Sequence, residues 1–274
     1  MVSFPNCKLN LGLNIIGKRD DGFHNIETVF LPLPIQDALE IIAAGNINPV
    51  EFSHSGLPIA GDEKDNLCIK AYLVLKRDFP QLPPVKLHLH KAIPIGAGLG
   101  GGSADGAFTL LLLNKKFSLG LSEQQLISYA LQLGSDCPFF IINKPCFAEH
   151  RGEKLTPVAL NLSGCTIVLV NPGMHVNTGW AFSQIKPGVP AISIKDIMQQ
   201  PPDTWKNTLV NDFEEAVTSH HPELRLIKEL LYKMGAFYAS MSGSGSSFYG
   251  LFKAPHRING SIFPESYFVK TVSL

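Results

Sequence analysis

One stretch constrains this chain more than any other: Pro94-Ile95-Gly96-Ala97-Gly98-Leu99-Gly100-Gly101-Gly102-Ser103-Ala104-Asp105, with five glycines between positions 96 and 102. Glycine loses more backbone freedom on folding than any other residue, so such a cluster needs a compensating purpose. The strand pattern Val85-Lys86-Leu87-His88-Leu89-His90 runs into it, and the apolar, helix-favouring run Ala107 to Leu113 follows it. A bare backbone between strand and helix suits close approach to an anion: successive N–H groups wrap phosphate oxygens, and the helix N-terminus adds partial positive charge.

Three phosphate-binding patterns compete for the loop. Gly96, Gly98 and Gly101 satisfy the dinucleotide fingerprint G-x-G-x-x-G. That fingerprint wants an acidic residue closing a second strand about 20 residues on, and the candidate Glu123 instead opens a helix. The spacing from Gly96 to Ser103 fits G-x-x-x-x-G-K-[ST], but Gly102 stands where the lysine must be. The stretch from Pro94 to Asp105 resembles the third pattern, P-x-x-x-G-L-G-[SG]-S-[AS]-[AN]. With it the chain resembles the GHMP kinases. A glycine-rich connector without a ligand is the remaining reading of the stretch.

Further motifs carry the same resemblance. Lys8-Leu9-Asn10-Leu11 and Asp21-Gly22-Phe23-His24 resemble the K-[LIV]-N-L and D-G-[YF]-H patterns of the members that act on a cytidine-diphosphate-linked methylerythritol. Gly134-Ser135-Asp136-Cys137-Pro138-Phe139 resembles their G-[AS]-D-[VIC]-P-[VF] motif, and Ser242-Gly243-Ser244-Gly245 the third family motif. The motifs keep their order from about residue 5 to 252.

The resemblance implies an α+β fold with two halves, 1–155 and 156–274, and the active site in the cleft between them. The N-terminal half would be ribosomal protein S5 domain 2-like and bind ATP. The C-terminal half would be ferredoxin-like, with its last helix absent or shortened, since only about fifteen residues separate Phe252 from Tyr267 and they include Pro255, Gly260 and Pro264. It implies ATP-dependent phosphorylation of an alcohol, with ATP and Mg²⁺ as cofactors and a small-molecule substrate; a mevalonate- or homoserine-type kinase is the alternative.

The residue roles follow from the same resemblance. Pro94, Gly96, Gly98, Leu99, Gly100, Gly101, Gly102, Ser103 and Ala104 would hold the nucleotide, with the Ser103 hydroxyl also near Mg²⁺ and Asn66 near the adenine. Asp136 would take the proton of the acceptor alcohol, and Lys8 would pair with it and orient the hydroxyl. His24 and Phe23 would recognise cytosine by its edge and its face, Phe182 would be the opposite wall, and Asn10, Thr178 and Gly243 would complete the substrate site. Gly179 stands where the family commonly has proline, which loosens the register at Thr178 and Phe182. Trp180 reads as core packing.

The rest of the chain sets bounds. Charged residues balance at 23 and 23, which argues against an extended nucleic-acid surface. The five cysteines are scattered and form no C-x-x-C pair, so the expectation is reduced thiols in a cytoplasmic protein rather than zinc or disulfides. Pro5, Asn6 and Lys8 interrupt what a signal peptide would need, and no apolar run reaches the roughly 18 residues of a membrane span. Monomer and homodimer both stay open.

Periodicity supplies the elements. From Lys8 to Ile15 polar and apolar residues alternate, predicting a strand whose Lys8, Asn10 and Asn14 face either a ligand or solvent. Strands are expected at 28–33, limited by Pro32 and Pro34, and at 39–42, 50–53, 85–90, 166–170, 237–241, 248–252 and 267–272. A hairpin is expected at 145–157 and helices at 66–79, 102–115, 122–133, 206–218 and 222–234. Ser122 and Gln125 form a capping box, with Gly134 closing that helix at C′. The proline-rich segment 183–205 is expected to wander.

Overall fold

The computed structural model describes residues 1–45, 49–59, 61–253 and 262–274. Within them the chain forms two compact units that interleave along the sequence. The first comprises Met1–Lys8, Pro34–Ile95 and Gly100–Lys144, the second Leu9–Leu33, Gly96–Leu99 and Pro145–Leu274.

In the first unit a four-stranded sheet has the order Val2–Ser3, Ala38–Ala43, Val85–Lys91, Val50–Gly56. Its pairs are antiparallel except the parallel pair of Val50–Gly56 with Val85–Lys91. The alternation seen in the sequence is real: Val85, Leu87 and Leu89 are buried, and so is Lys91 in the same register. Helices Leu67–Asp78, Gly101–Phe117, Glu123–Leu133 and Cys137–Ile142 pack on one another. The Ser122/Gln125 capping box is present, whereas Gly134 stands at the cap itself with extended backbone, φ 168°. Cys137–Ile142, six residues of which five are buried, is a helix that neither periodicity nor length announces.

The second unit holds a sheet ordered Tyr238–Met241, Phe248–Lys253, Cys165–Asn171, Phe268–Ser273, antiparallel throughout. Numbered in chain order and read from the Phe268–Ser273 edge, this is strand four, one, three, two, the ferredoxin-like arrangement. Helix Pro222–Lys233 packs against Tyr238–Met241 and Phe248–Lys253, and against helix Phe213–His220. The expectation of an absent or shortened last helix falls largely on 254–261, outside the described residues; residues 262–267 hold no helix. Strands Asn6–Lys18, His24–Gln36, Cys146–Glu149 and Lys154–Pro157 form a third sheet, the last two being the expected hairpin.

Two departures from the sequence expectations have local causes. His24–Gln36 runs on through Pro32 and Pro34, because both prolines lie beyond the three-residue register of Thr28–Phe30 with Cys146–Ala148, where their missing N–H costs no bond to that neighbour. The expected helix 206–218 divides into a 3₁₀ turn Pro202–Asn207 and helix Phe213–His220. Between them the backbone binds Leu13 instead: Leu13 N donates to Val210 O (2.8 Å), and Asp212 N donates to Leu13 O (2.8 Å). The wandering segment carries that 3₁₀ turn and a four-residue helix, Ile194–Ile197.

Candidate active site

The strand Asn6–Lys18 is buried on both faces over its first ten residues. Its polar residues Lys8, Asn10 and Asn14 are 2–5% exposed, which removes the solvated-face reading. A buried cation needs a partner. In the first unit Lys8 Nζ lies 3.4 Å from Asp136 Oδ2, with the Lys8 side chain 5% and the Asp136 side chain 33% exposed. Asp136 stands at the N-terminus of Cys137–Ile142 without capping it through its side chain, so the carboxylate is turned to the lysine rather than to the helix.

Gly100, the loop glycine that falls in the first unit, lies beside Lys8. Gly96, Gly98 and Gly100 all have left-handed φ, 65°, 77° and 68°, alternating with ordinary residues. Such alternation turns successive N–H groups into an anion-binding concavity. A Cβ on Gly100 would lie 3.1 Å from Lys8 Cε and 3.0 Å from Phe140 Cζ. Gly102, in the first turn of Gly101–Phe117, would meet nothing within 4 Å. That open space leaves the helix N-terminus accessible, and a lysine there is not excluded by packing. Ser103, partly exposed in the same turn, lies beside the thiol of Cys137, whose burial pushes its pKa up to about 12.

Asn66 caps helix Leu67–Asp78, its Oδ1 accepting from Cys68 N at 2.9 Å. It also lines a cavity of about 280 Å³ in the first unit with Phe52, His54, Lys91, Gly102 and Asp105. Beneath that cavity lies a cluster that the sequence reading missed. Lys91 Nζ donates to Asp37 Oδ2 (2.5 Å) and Asp105 Oδ2 (2.7 Å), all three side chains being 0–5% exposed. Asp37 Oδ1 accepts from Ala92 N (2.6 Å) and Ile93 N (2.9 Å), the residues that lead into the glycine loop. Burial works against the Lys91 charge, but Asp105 and Asp37 outweigh it and raise its pKa. Burial raises the Asp105 carboxyl to about 7, with Asp37 adding to the rise and Lys91 opposing it. The inward register of Lys91 was the available signal.

The second unit gathers other motif residues. Asn10 N donates to Ser242 Oγ (3.2 Å), which donates to Gly98 O (2.8 Å). Gly243 is left-handed, φ 57°, and a Cβ there would lie 3.2 Å from Gly98 Cα and 3.4 Å from Asn10 Oδ1. Asn211, also absent from the sequence reading, holds this turn by donating to Met241 O and Gly243 O, both at 2.8 Å. Thr178 Oγ1 and Ser244 Oγ are hydrogen-bonded at 2.9 Å.

His24 and Phe182 come together, their rings stacked at 4.7 Å and 17°. That spacing holds no base between these two rings, which would need about 7 Å, twice the optimal carbon–carbon spacing. Phe213 meets the edge of Phe182 at 4.8 Å. Phe23 is 49% exposed, with the Arg151 guanidinium 3.7 Å from its ring centroid. Burial, then Lys18, lowers the His24 pKa below its ordinary value, so the imidazole is neutral at pH 7 and keeps one nitrogen as an acceptor. Trp180 packs against the second unit's core, its ring 4.7 Å from that of His220.

Comparison with known proteins bears on the family and the fold. Residues 66–144 match the GHMP kinases N terminal domain, and residues 193–259 match the GHMP kinases C terminal domain. A 4-diphosphocytidyl-2-C-methyl-D-erythritol kinase of Bacteroides fragilis is 52% identical over 272 residues, 99% of each chain. One from Cytophaga hutchinsonii is 49% identical over 253 residues, 92% of each. The crystal structure of a 4-(cytidine 5'-diphospho)-2C-methyl-D-erythritol kinase superposes with a TM-score of 0.80 at 27% identity, covering 100% of this chain and 99% of that one. The Methanococcus jannaschii mevalonate kinase shares the fold, with a TM-score of 0.70 at 14% identity, covering 100% of this chain and 98% of that one. The chain belongs to the GHMP kinases.

Proposed function

We propose that this protein uses ATP to phosphorylate the 2-hydroxyl of 4-diphosphocytidyl-2-C-methyl-D-erythritol, a step in non-mevalonate isoprenoid precursor biosynthesis. The observation that carries the reading is the convergence of Lys8, Gly100 and Asp136, three residues far apart in sequence, in one unit. Near-full-length relatives that carry this kinase name support the choice of substrate.

Phosphoryl transfer is mostly positioning and charge neutralisation, with a base for the attacking hydroxyl. Gly96, Gly98, Leu99, Gly100, Gly101, Gly102 and Ser103 present backbone N–H donors to the phosphates, while Pro94, which has none, and Ala104, whose N–H is bonded to Gly100 O, shape the loop. Asn66, in the cavity wall, lies near the adenine. Asp136 accepts the proton of the acceptor 2-hydroxyl, and Lys8 orients that hydroxyl and offsets charge at the transferring group. The Ser103 hydroxyl, a hard oxygen donor in the first turn behind the phosphate-binding loop, suits Mg²⁺. When bound, Mg²⁺ supplies further neutralisation of the phosphate oxygens.

His24 reads the cytosine edge as a neutral imidazole, and the open face of Phe23 stacks on the base. Phe182 forms the opposite wall once its ring turns off His24. Asn10, Thr178 and Gly243 complete the substrate site. The family matches at 66–144 and 193–259 fall on either side of residue 155, which supports treating 1–155 and 156–274 as the two functional halves. The expected compartment is the cytoplasm; no helix among the described residues is long and apolar enough to cross a membrane.

The test is ATP turnover with a panel of alcohols: the cytidine-linked methylerythritol, mevalonate and homoserine. Turnover with the cytidine compound alone is expected. Turnover with homoserine or mevalonate and none with the cytidine compound would overturn the reading.

A further inference from the structure

Phe23 presents a puzzle of support. Its backbone is well held: Arg19 N donates to Phe23 O (2.9 Å), and Phe23 N donates to Asp21 Oδ1 (3.1 Å). Its ring, half exposed at the tip of a strand connection, lacks the burial that normally fixes an aromatic side chain. Arg19 spends its charge on Asp21, with Nη2 2.9 Å from Oδ2. The cation that faces the ring is Arg151, from a different part of the chain.

The base of Arg151 is fixed on both sides. It lies in the turn 150–153 between the paired strands Cys146–Glu149 and Lys154–Pro157, whose ends carry the ion pair Lys154–Glu149 at 3.1 Å. His150 and Gly152 are left-handed, φ 60° and 105°, and Gly152 N donates to Glu149 O (3.0 Å). Arg151 N donates to Glu153 Oε2 (2.7 Å). Ile26 N donates to His150 O (2.6 Å), which ties the turn to the strand that begins one residue after Phe23. From this base the guanidinium reaches 3.7 Å from the Phe23 centroid, van der Waals contact between two flat groups. Guanidinium on an aromatic face is attractive both as a cation and as a plane.

We infer that Arg151 is a positioning residue for the pyrimidine base: it backs one face of Phe23 and holds the ring flat so that the other face receives cytosine. The inference rests on the cytidine-substrate reading and deepens it, since it assigns part of base affinity to a residue outside every motif of the catalytic site. Arg151 acts only through Phe23, and that dependence is testable.

The experiment is a double-mutant cycle in the full-length enzyme, with Arg151→Ala, Arg151→Lys, Phe23→Ala and Phe23→Ala/Arg151→Ala, reading KM for the cytidine substrate, KM for ATP, and kcat. Arg151→Ala is expected to raise the cytidine-substrate KM about threefold to tenfold, with kcat and ATP KM within about twofold. Arg151→Lys, which keeps the charge but loses the plane, should fall between. In the Phe23→Ala background, Arg151→Ala should add less than about twofold, because the residue it acts through is gone. An unchanged KM in Arg151→Ala, or an equal increase in both backgrounds, overturns the inference while leaving the kinase reading intact. A wild-type enzyme inactive on the cytidine compound overturns both.

Discussion

Among the described residues, the first unit sets two buried lysines against aspartates, the same residue types put to opposite uses. Around Lys91 the partners are closed: contacts of 2.5 and 2.7 Å, every side chain 0–5% exposed, and the second oxygen of Asp37 committed to Ala92 N and Ile93 N. Around Lys8 the pair is open: 3.4 Å, with a third of the Asp136 side chain in solvent and no capping bond to its own helix. A carboxylate buried from solvent and tied to a buried cation is not offered to a substrate proton. One held loosely beside a cation can. The difference separates the ion cluster that shapes the glycine loop from the one offered for chemistry.

The comparison breaks first at Lys91. Lys91→Met would leave two buried carboxylates facing each other without a counter-charge. Removing one member of a buried ionic group costs about 3–5 kcal/mol. Urea unfolding of the variant is expected to show that loss at neutral pH, with a lower midpoint and unchanged slope. A loss under about 1 kcal/mol would mean that the cluster does not hold the loop as its geometry implies.

The open pair should answer in the other currency, rate. Asp136→Asn keeps the shape and the partly exposed position but removes the base. It is expected to lower kcat at least ~10²-fold, the low end for loss of a general base, while stability falls less than in Lys91→Met, because a third of the Asp136 side chain is exposed and the amide oxygen still faces Lys8. Steady-state kinetics alongside the same urea titration checks both halves. Near-normal turnover would remove Asp136 from the mechanism and leave the two constellations alike.

How much of this was readable beforehand differs between fold and site. Local signals were legible: the alternation of Val85 to His90, the Ser122/Gln125 cap and the glycine cluster each depend on residues a few positions apart. Long-range pairings were not. Nothing in 208–212 announces that its backbone binds Leu13 instead of coiling into the expected helix, because the competing partner lies about two hundred residues away. The Lys8–Asp136 approach was reached through motif resemblance, since spacing cannot bring residues 8 and 136 together. Lys91 was half legible, as the inward-facing end of an alternating strand, but its partner Asp37 gives no local sign. Arg151 gives none either, for its role depends on a hairpin turn meeting the tip of another strand connection.

The smallest effect lies inside the closed cluster and sharpens what closure means. Asp105 Oδ1 is buried without a hydrogen-bond partner among the described residues, while Oδ2 takes the Lys91 proton donor. Burial and the neighbouring Asp37 raise its carboxyl to about 7, above the ordinary value of 3.8. With the folded pKa above the unfolded one, the native state binds the extra proton, so this group's stabilising contribution is complete below about pH 4 and is lost as pH rises through about 7. Asp105→Asn deletes that titration and leaves Lys91 paired with Asp37. Relative to wild type, the variant should gain stability between about pH 5 and 8, by a few degrees in Tm. Melting curves across that range check the sign. A variant whose deficit grows with pH would show that Asp105 is needed as a carboxylate, and that the cluster is held by two full ion pairs rather than by one pair and a protonated neighbour.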